Sequence, residues 1–189
     1  MTHGARAYQH LLVNVPDFLD YSPVLYVGAK RTGLRWLPEL HDAGATIDVI
    51  EIFPANVATL LGLNQEKAWF RNIYLGDLMN LGALTGHAKW PLVVWSHGPE
   101  HVRQEDLPKA LDCVEDACSR LAVLACPHGP CGWGGEIDGN LHDRHMDWDC
   151  VPEAFEALGW TAATLLPEPG KDSHLIAWKR IANDARIIG

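Results

Sequence analysis

The chain has 189 residues, 48% of them hydrophobic and 21% charged, with a formal net charge of −9 and a sequence pI of about 5.5. That length suits one domain with a sizeable core, and an acidic balance without a basic run excludes the usual nucleic-acid and anionic-membrane binders. No apolar run is long enough to cross a bilayer, and residues 1–9 carry no apolar signal core. The expectation is a cytoplasmic protein whose five cysteines are thiols rather than a disulfide framework.

Residues 1–22 read as an N-terminal lead-in and 23–189 as a single domain. In the lead-in, Leu11, Leu12, Val15 and Phe18 predict one short amphipathic turn, interrupted by Pro16. The run Val24, Leu25, Tyr26, Val27 predicts a strand buried on both faces. It ends in a loop from Gly28 through Ala29, Lys30, Arg31 and Thr32 to Gly33. Leu34, Leu37 and Leu40 share one helical face, with Gly44 as its stop and Pro38 forcing a late start. A second strand is predicted over 47–52, a helix opened by Pro54, and a third strand over 69–75 leading to Gly76 and Asp77.

The fourth strand, 92–95, ends in Ser96, His97, Gly98, Pro99, Glu100, His101 and Val102. Leu107, Ala110, Leu111, Val114 and Cys118 then keep the spacing of one helical face, and 121–126 reads as a fifth strand. Residues 127–149 are irregular and too long for a plain connector, which suggests a substrate loop or lid. Asp149 is placed to cap a helix carrying Val151, Ala154, Phe155 and Leu158. Two last strands, 161–166 and 174–179, are joined by a loop too short for a helical crossover. The pattern predicts a Rossmann-like, doubly wound α/β sheet closed by a hairpin.

Strand, glycine, helix, strand and acid follow one another from Val24 to Glu51. A glycine past a buried strand lets backbone approach a ligand, and an acid after the next strand can accept from both ribose hydroxyls. The alternative is an ordinary βα turn with Glu51 at the surface. Taken in order, five stretches resemble class I S-adenosylmethionine-dependent methyltransferases: residues 24–33, Glu51, the triplet Gly76, Asp77 and Leu78, residues 92–102, and Arg144 to Trp148 ahead of Ala157, Leu158, Gly159 and Trp160. The resemblance implies a seven-stranded, mostly parallel sheet with an antiparallel last strand. It implies S-adenosylmethionine as cofactor, held by Gly28, Ala29, Gly33, Glu51, Ile52, Gly76, Asp77, Leu78 and Ser96, with Asp77 at the adenine amino group. The partner it implies is a small-molecule methyl acceptor, with no nucleic acid and no membrane. Tyr26 stands where the family usually has an acid, and the 28–33 loop lacks its middle glycine.

Ligands in open α/β sheets sit outside the carboxyl ends of the strands, which points to Ser96, His97, Glu100 and His101. His97 is the first candidate for a general base, because an imidazole titrates near neutrality; its alternative is simply lining the pocket. His145 is a second base candidate, while Glu100 and His101 read as packing residues. Cys126, His128, Cys131, His142, His145 and Cys150 are zinc-ligand types, but their spacing matches no common finger, and no metal is expected. Trp133 and Trp148 read as core rather than pocket. A non-catalytic protein of the same fold, favoured by Tyr26 and Lys30, and an NAD-dependent oxidoreductase are the rival readings.

Overall fold

The computed structural model describes residues 3–29, 36–130, 139–165 and 173–182. Among these residues, nine strands and six helices follow in chain order: α1 (His3–Asn14), β1 (Val24–Val27), α2 (Leu37–Asp42), β2 (Ile47–Glu51), α3 (Pro54–Lys67), β3 (Phe70–Leu75), α4 (Leu81–Thr85), β4 (Trp90–Ser96), α5 (Leu107–Ala117), β5 (Cys118–Pro127), β6 (Gly129–Pro130), β7 (Asp149–Cys150), α6 (Pro152–Glu156), β8 (Thr161–Leu165) and β9 (His174–Arg180). Seven strands form one sheet in the order β3-β2-β1-β4-β5-β9-β8, and β6 pairs with β7 in a separate ribbon. Strands β1 to β5 pair in parallel, whereas β9 runs antiparallel to both β5 and β8. The predicted α/β architecture with an antiparallel last strand is therefore the one observed.

Period-two alternation builds the core on both faces of the sheet. Leu25, Val27, Val93, Trp95, Ala122 and Leu124 pack with the α5 stripe Leu107, Ala110, Leu111 and Val114 on one side. Val24, Tyr26, Leu92, Val94, Leu121 and Val123 pack with Leu11, Phe18, Trp36, Leu40 and Leu60 on the other. All four β1 residues are buried, which is why that strand reads as a continuous apolar run. Each fully buried side chain of this size contributes about 1.5–3 kcal/mol.

Several predicted boundaries change. The lead-in holds a twelve-residue helix in place of one short turn. Of its described side chains only Ala7 and Leu11 are buried, too sparse a stripe to register as an apolar period. Pro16 does not interrupt an element but opens a 3-10 turn, Pro16–Asp20, where a missing N–H costs nothing. Pro38 also sits at the first turn of α2, as the late start required. Cys118 is not on the helix; it is the first residue of β5, reached from α5 with no intervening loop. Both periods point residue 118 inward, so pattern alone could not assign it. Asp149 does not cap α6 but pairs in the β6–β7 ribbon, and the capping position belongs to Val151 with no side-chain hydrogen bond. Pro152, next in line, has no N–H to cap.

Candidate functional site

β2 lies on one side of β1 and β4 on the other, so the chain reverses its direction of strand addition at β1. That is the switch point at which open α/β sheets bind ligands. A cavity of about 780 Å³ opens there. Gly28, Glu51, Ile52, Gly76, Asp77 and Leu78 line it at the ends of β1, β2 and β3, while Ser96, His97, Glu100, His101 and His145 line it beyond β4. Ala29 is fully buried in the core layer that holds Tyr26. Gly33, together with Lys30, Arg31, Cys131 and Trp133, lies outside the described residues.

Local backbone explains several of these positions. Gly28 has φ +75°, a left-handed conformation that L side chains resist, and its N–H donates to the Ile50 carbonyl at 2.9 Å. Among the described residues, a Cβ built there meets no atom within 4 Å. Gly98 is required for the opposite reason: its Cβ would overlap the Trp95 ring. Between them His97 has φ +54°, a costly conformation for a residue with a Cβ. It is held there by its N–H donating to the Ala125 carbonyl at 2.7 Å.

Glu51 is 4% exposed, and its Oε1 accepts from the Phe53 N–H at 2.8 Å. Burial pushes its carboxyl above the usual glutamate value; hydrogen bonds from Phe53, Asn56 and Ile52 oppose this, and the charge of Asp143 adds to it. Asp77 accepts from the Met79 N–H at 2.9 Å and so starts the next turn. Glu100, on the 3-10 turn Pro99–His101, is fully buried. Its Oε1 lies 3.1 Å from Nδ1 of His97, and Oε2 has no hydrogen-bond partner among the described residues. Burial alone would raise the Glu100 carboxyl, but the His97 hydrogen bond and the charges of His97 and His101 hold it below the usual value. Burial lowers the His101 imidazole against the pull of Glu100.

Asn140, Leu141, His142, Asp143, His145 and Met146 also line the cavity. The Met146 N–H donates to the Glu100 carbonyl at 2.8 Å, and the His101 and His145 rings meet edge to face at 4.8 Å. Among the described residues, the cysteines and histidines of 126–150 do not gather as one set. Cys126 and Cys150 are buried in the core layer, His128 pairs with Ser173, and His145 joins Glu100 and His101. Trp148 is core, as expected, with its indole N–H donating to the Val102 carbonyl at 2.9 Å. Sequence reasoning missed the convergence of Glu100, His101 and His145. Its one local signal was the adjacent Glu-His pair at a strand's carboxyl end.

The sheet order and its antiparallel closing hairpin define the fold of class I S-adenosylmethionine-dependent methyltransferases. No family model matches the chain, and no curated protein matches it in sequence. Its structure is similar to N-methyltransferase NodS from Bradyrhizobium japonicum WM9 with S-adenosylhomocysteine, at TM-score 0.68 and 14% identity over 94% of this chain and 86% of that one. It is similar also to magnesium protoporphyrin IX methyltransferase (ChlM) from Synechocystis PCC 6803 with bound S-adenosylhomocysteine, at TM-score 0.63 and 18% identity over 93% and 82%. A third likeness is to Burkholderia thailandensis 1,6-didemethyltoxoflavin-N1-methyltransferase, at TM-score 0.62 and 13% identity over 95% and 78%. At these identities the likeness is one of fold. Among the described residues no helix is long and apolar enough to cross a membrane.

Proposed function

We propose that the chain is an S-adenosylmethionine-dependent methyltransferase acting on a small molecule. One observation carries this reading: a single cavity at the switch point is lined by Glu51 and Asp77, past β2 and β3, and by His97, past β4. The residues suit the cofactor, because Glu51 is a buried acid lining the cavity and Gly28, which lines it too, brings backbone without a side chain. When bound, the cofactor supplies an electrophilic sulfonium methyl group. Glu51 would accept from its ribose hydroxyls and Asp77 from its adenine amino group, while Gly28, Ile52, Gly76, Leu78 and Ser96 line the space between. His97 would take the proton of a protonated acceptor, and residues 139–149 would shape the acceptor's pocket. Fold neighbours solved with S-adenosylhomocysteine, one of them also holding 1,6-didemethyltoxoflavin, support a small acceptor.

Glu51→Ala should weaken S-adenosylhomocysteine binding by roughly 10- to 100-fold, because a hydrogen bond to a charged group is worth about 1.5–3 kcal/mol. Titration calorimetry measures it, and unchanged affinity removes Glu51 from the site. Glu51→Gln separates binding from folding. The folded carboxyl holds its proton more tightly than the unfolded one, so its ionisation opposes folding above the folded pKa and has no effect below the unfolded value. At neutral pH the glutamine variant should melt at or above the wild-type temperature and still bind S-adenosylhomocysteine more weakly. A variant that loses stability as well would make Glu51 structural.

A second reading has one observation of its own. Tyr26 stands where the family usually has an acid, and it is fully buried among Leu37, Leu40 and Leu92 in the core. A non-catalytic protein of this fold, retained for binding or assembly, would bind S-adenosylhomocysteine and yet transfer no methyl group in a broad acceptor screen.

A further inference from the structure

We propose that Glu100, His101 and His145 bind a divalent transition-metal ion at the acceptor end of the cavity. One carboxylate oxygen and one ring nitrogen from each histidine lie within 4.8 Å of one another. Ligand atoms about 2.1 Å from a shared ion stand about 3–3.4 Å apart at tetrahedral or octahedral angles. Binding an ion would draw the three groups together by that difference.

Three features of the group are those of a built site. First, Glu100 is fully buried and its Oε2 has no hydrogen-bond partner among the described residues. A carboxylate oxygen in that position is costly unless something positive meets it. Second, Nδ1 of His101 lies 3.3 Å from the Arg144 carbonyl. A proton on Nδ1 donated to that carbonyl leaves Nε2 with its lone pair, as metal-binding histidines commonly arrange. Third, the other Glu100 oxygen is fixed by His97, an outer partner of the kind that orients a ligating carboxylate. The backbone bond from Met146 to Glu100 brings the third ligand, distant in sequence, onto the turn that carries the first two.

The ligand set names the class of ion. Two imidazoles and one carboxylate suit Zn²⁺, Mn²⁺ or Fe²⁺ better than the all-oxygen preferences of Mg²⁺ and Ca²⁺. Three protein ligands leave positions open, as in catalytic rather than structural sites, and all three residues line the cavity. Resting on the methyltransferase reading, the site also names an acceptor class. An acceptor with a hydroxyl, enol or phenol oxygen would occupy an open position, and the ion would lower that oxygen's pKa. His97 would take the oxygen's proton, and the oxygen lone pair would form its bond to the methyl carbon as the carbon–sulfur bond breaks.

The test uses the full chain, purified without metal-affinity resin and stripped with chelator. Zn²⁺ and Mn²⁺ are titrated by calorimetry, with S-adenosylhomocysteine titrated separately on the same preparations. The expected result is one ion per chain. Glu100→Gln and His145→Ala should each weaken it by about 100-fold or more, since even outer-shell partners are worth about 10–100-fold, while His128→Ala leaves it unchanged. Circular dichroism reports folding, and if Glu100→Gln does not fold, His145→Ala decides. Absence of stoichiometric binding by folded wild type overturns the site, as does binding that survives His145→Ala or is lost in His128→Ala. S-adenosylhomocysteine binding without metal binding would retire the metal site alone; metal binding without S-adenosylhomocysteine binding would retire the methyltransferase reading and leave the site standing.

Discussion

His97→Ala should lower methyl transfer by about 10²–10⁴-fold and leave S-adenosylhomocysteine affinity nearly intact, the usual worth of a positioned base. His97 follows β4 directly, and the sheet fixes its backbone through the bond to Ala125. Its φ of +54° is tolerated only because the surrounding strands hold it. Nδ1 faces the Glu100 carboxylate at 3.1 Å, which orients the ring as bases in other enzymes are oriented by a third group. The effect must fall on turnover rather than binding, since Glu51 and Asp77 hold the other end of the cavity. An acceptor is found by screening with labelled cofactor, phenols and other hydroxyl compounds first. Full turnover by His97→Ala would end its assignment as base.

Asp48→Ala should cost about 3 kcal/mol of stability, the lower end of the 3–5 kcal/mol lost when a buried ion pair is broken from one side. Asp48 is fully buried in β2. Its Oδ1 accepts from Arg71 Nε and Asn72 Nδ2, both at 3.0 Å, and its Oδ2 from Arg71 Nη2 at 2.5 Å and Trp90 Nε1 at 2.7 Å. Removing the carboxylate strands the buried indole N–H, while the half-exposed Arg71 guanidinium turns to water, which is why the lower figure applies. The Arg71→Ala, Asp48→Ala pair should therefore cost less than the two single changes added together. Burial would raise the Asp48 carboxyl, but the Arg71, Trp90 and Asn72 hydrogen bonds hold it below the ordinary aspartate value of 3.8. An acid held low contributes stability that is complete above its unfolded pKa and lost as pH falls through the folded one. Urea midpoints for wild type and Asp48→Ala should therefore converge below about pH 4. A change under about 1 kcal/mol at pH 7, within the range of an exposed pair, would mean the network is not built as described.

The sheet was legible because buried parallel strands leave continuous apolar runs. Val24 to Val27 matched its strand residue for residue, and Pro38 and Gly44 marked the ends of α2 by backbone chemistry alone. Elements with weaker periods were not legible: α1 shows few buried positions, and Cys118 satisfies helix and strand spacing at once. The cavity's individual residues could be named, because strand ends and glycines announce themselves. Long-range side-chain meetings could not. Asp48 meets Arg71, Asn72 and Trp90, and Glu100 meets His145, only after the sheet has brought distant segments together. Nothing in the spacing of those residues along the chain records that meeting.

The cavity at the end of β1 and β2 is most directly tested by titrating the wild-type protein with S-adenosylhomocysteine and, separately, with NAD. The expected result is one S-adenosylhomocysteine per chain, weakened by roughly 10- to 100-fold in Glu51→Ala, and no measurable NAD binding. Tight NAD binding with none of S-adenosylhomocysteine would contradict it.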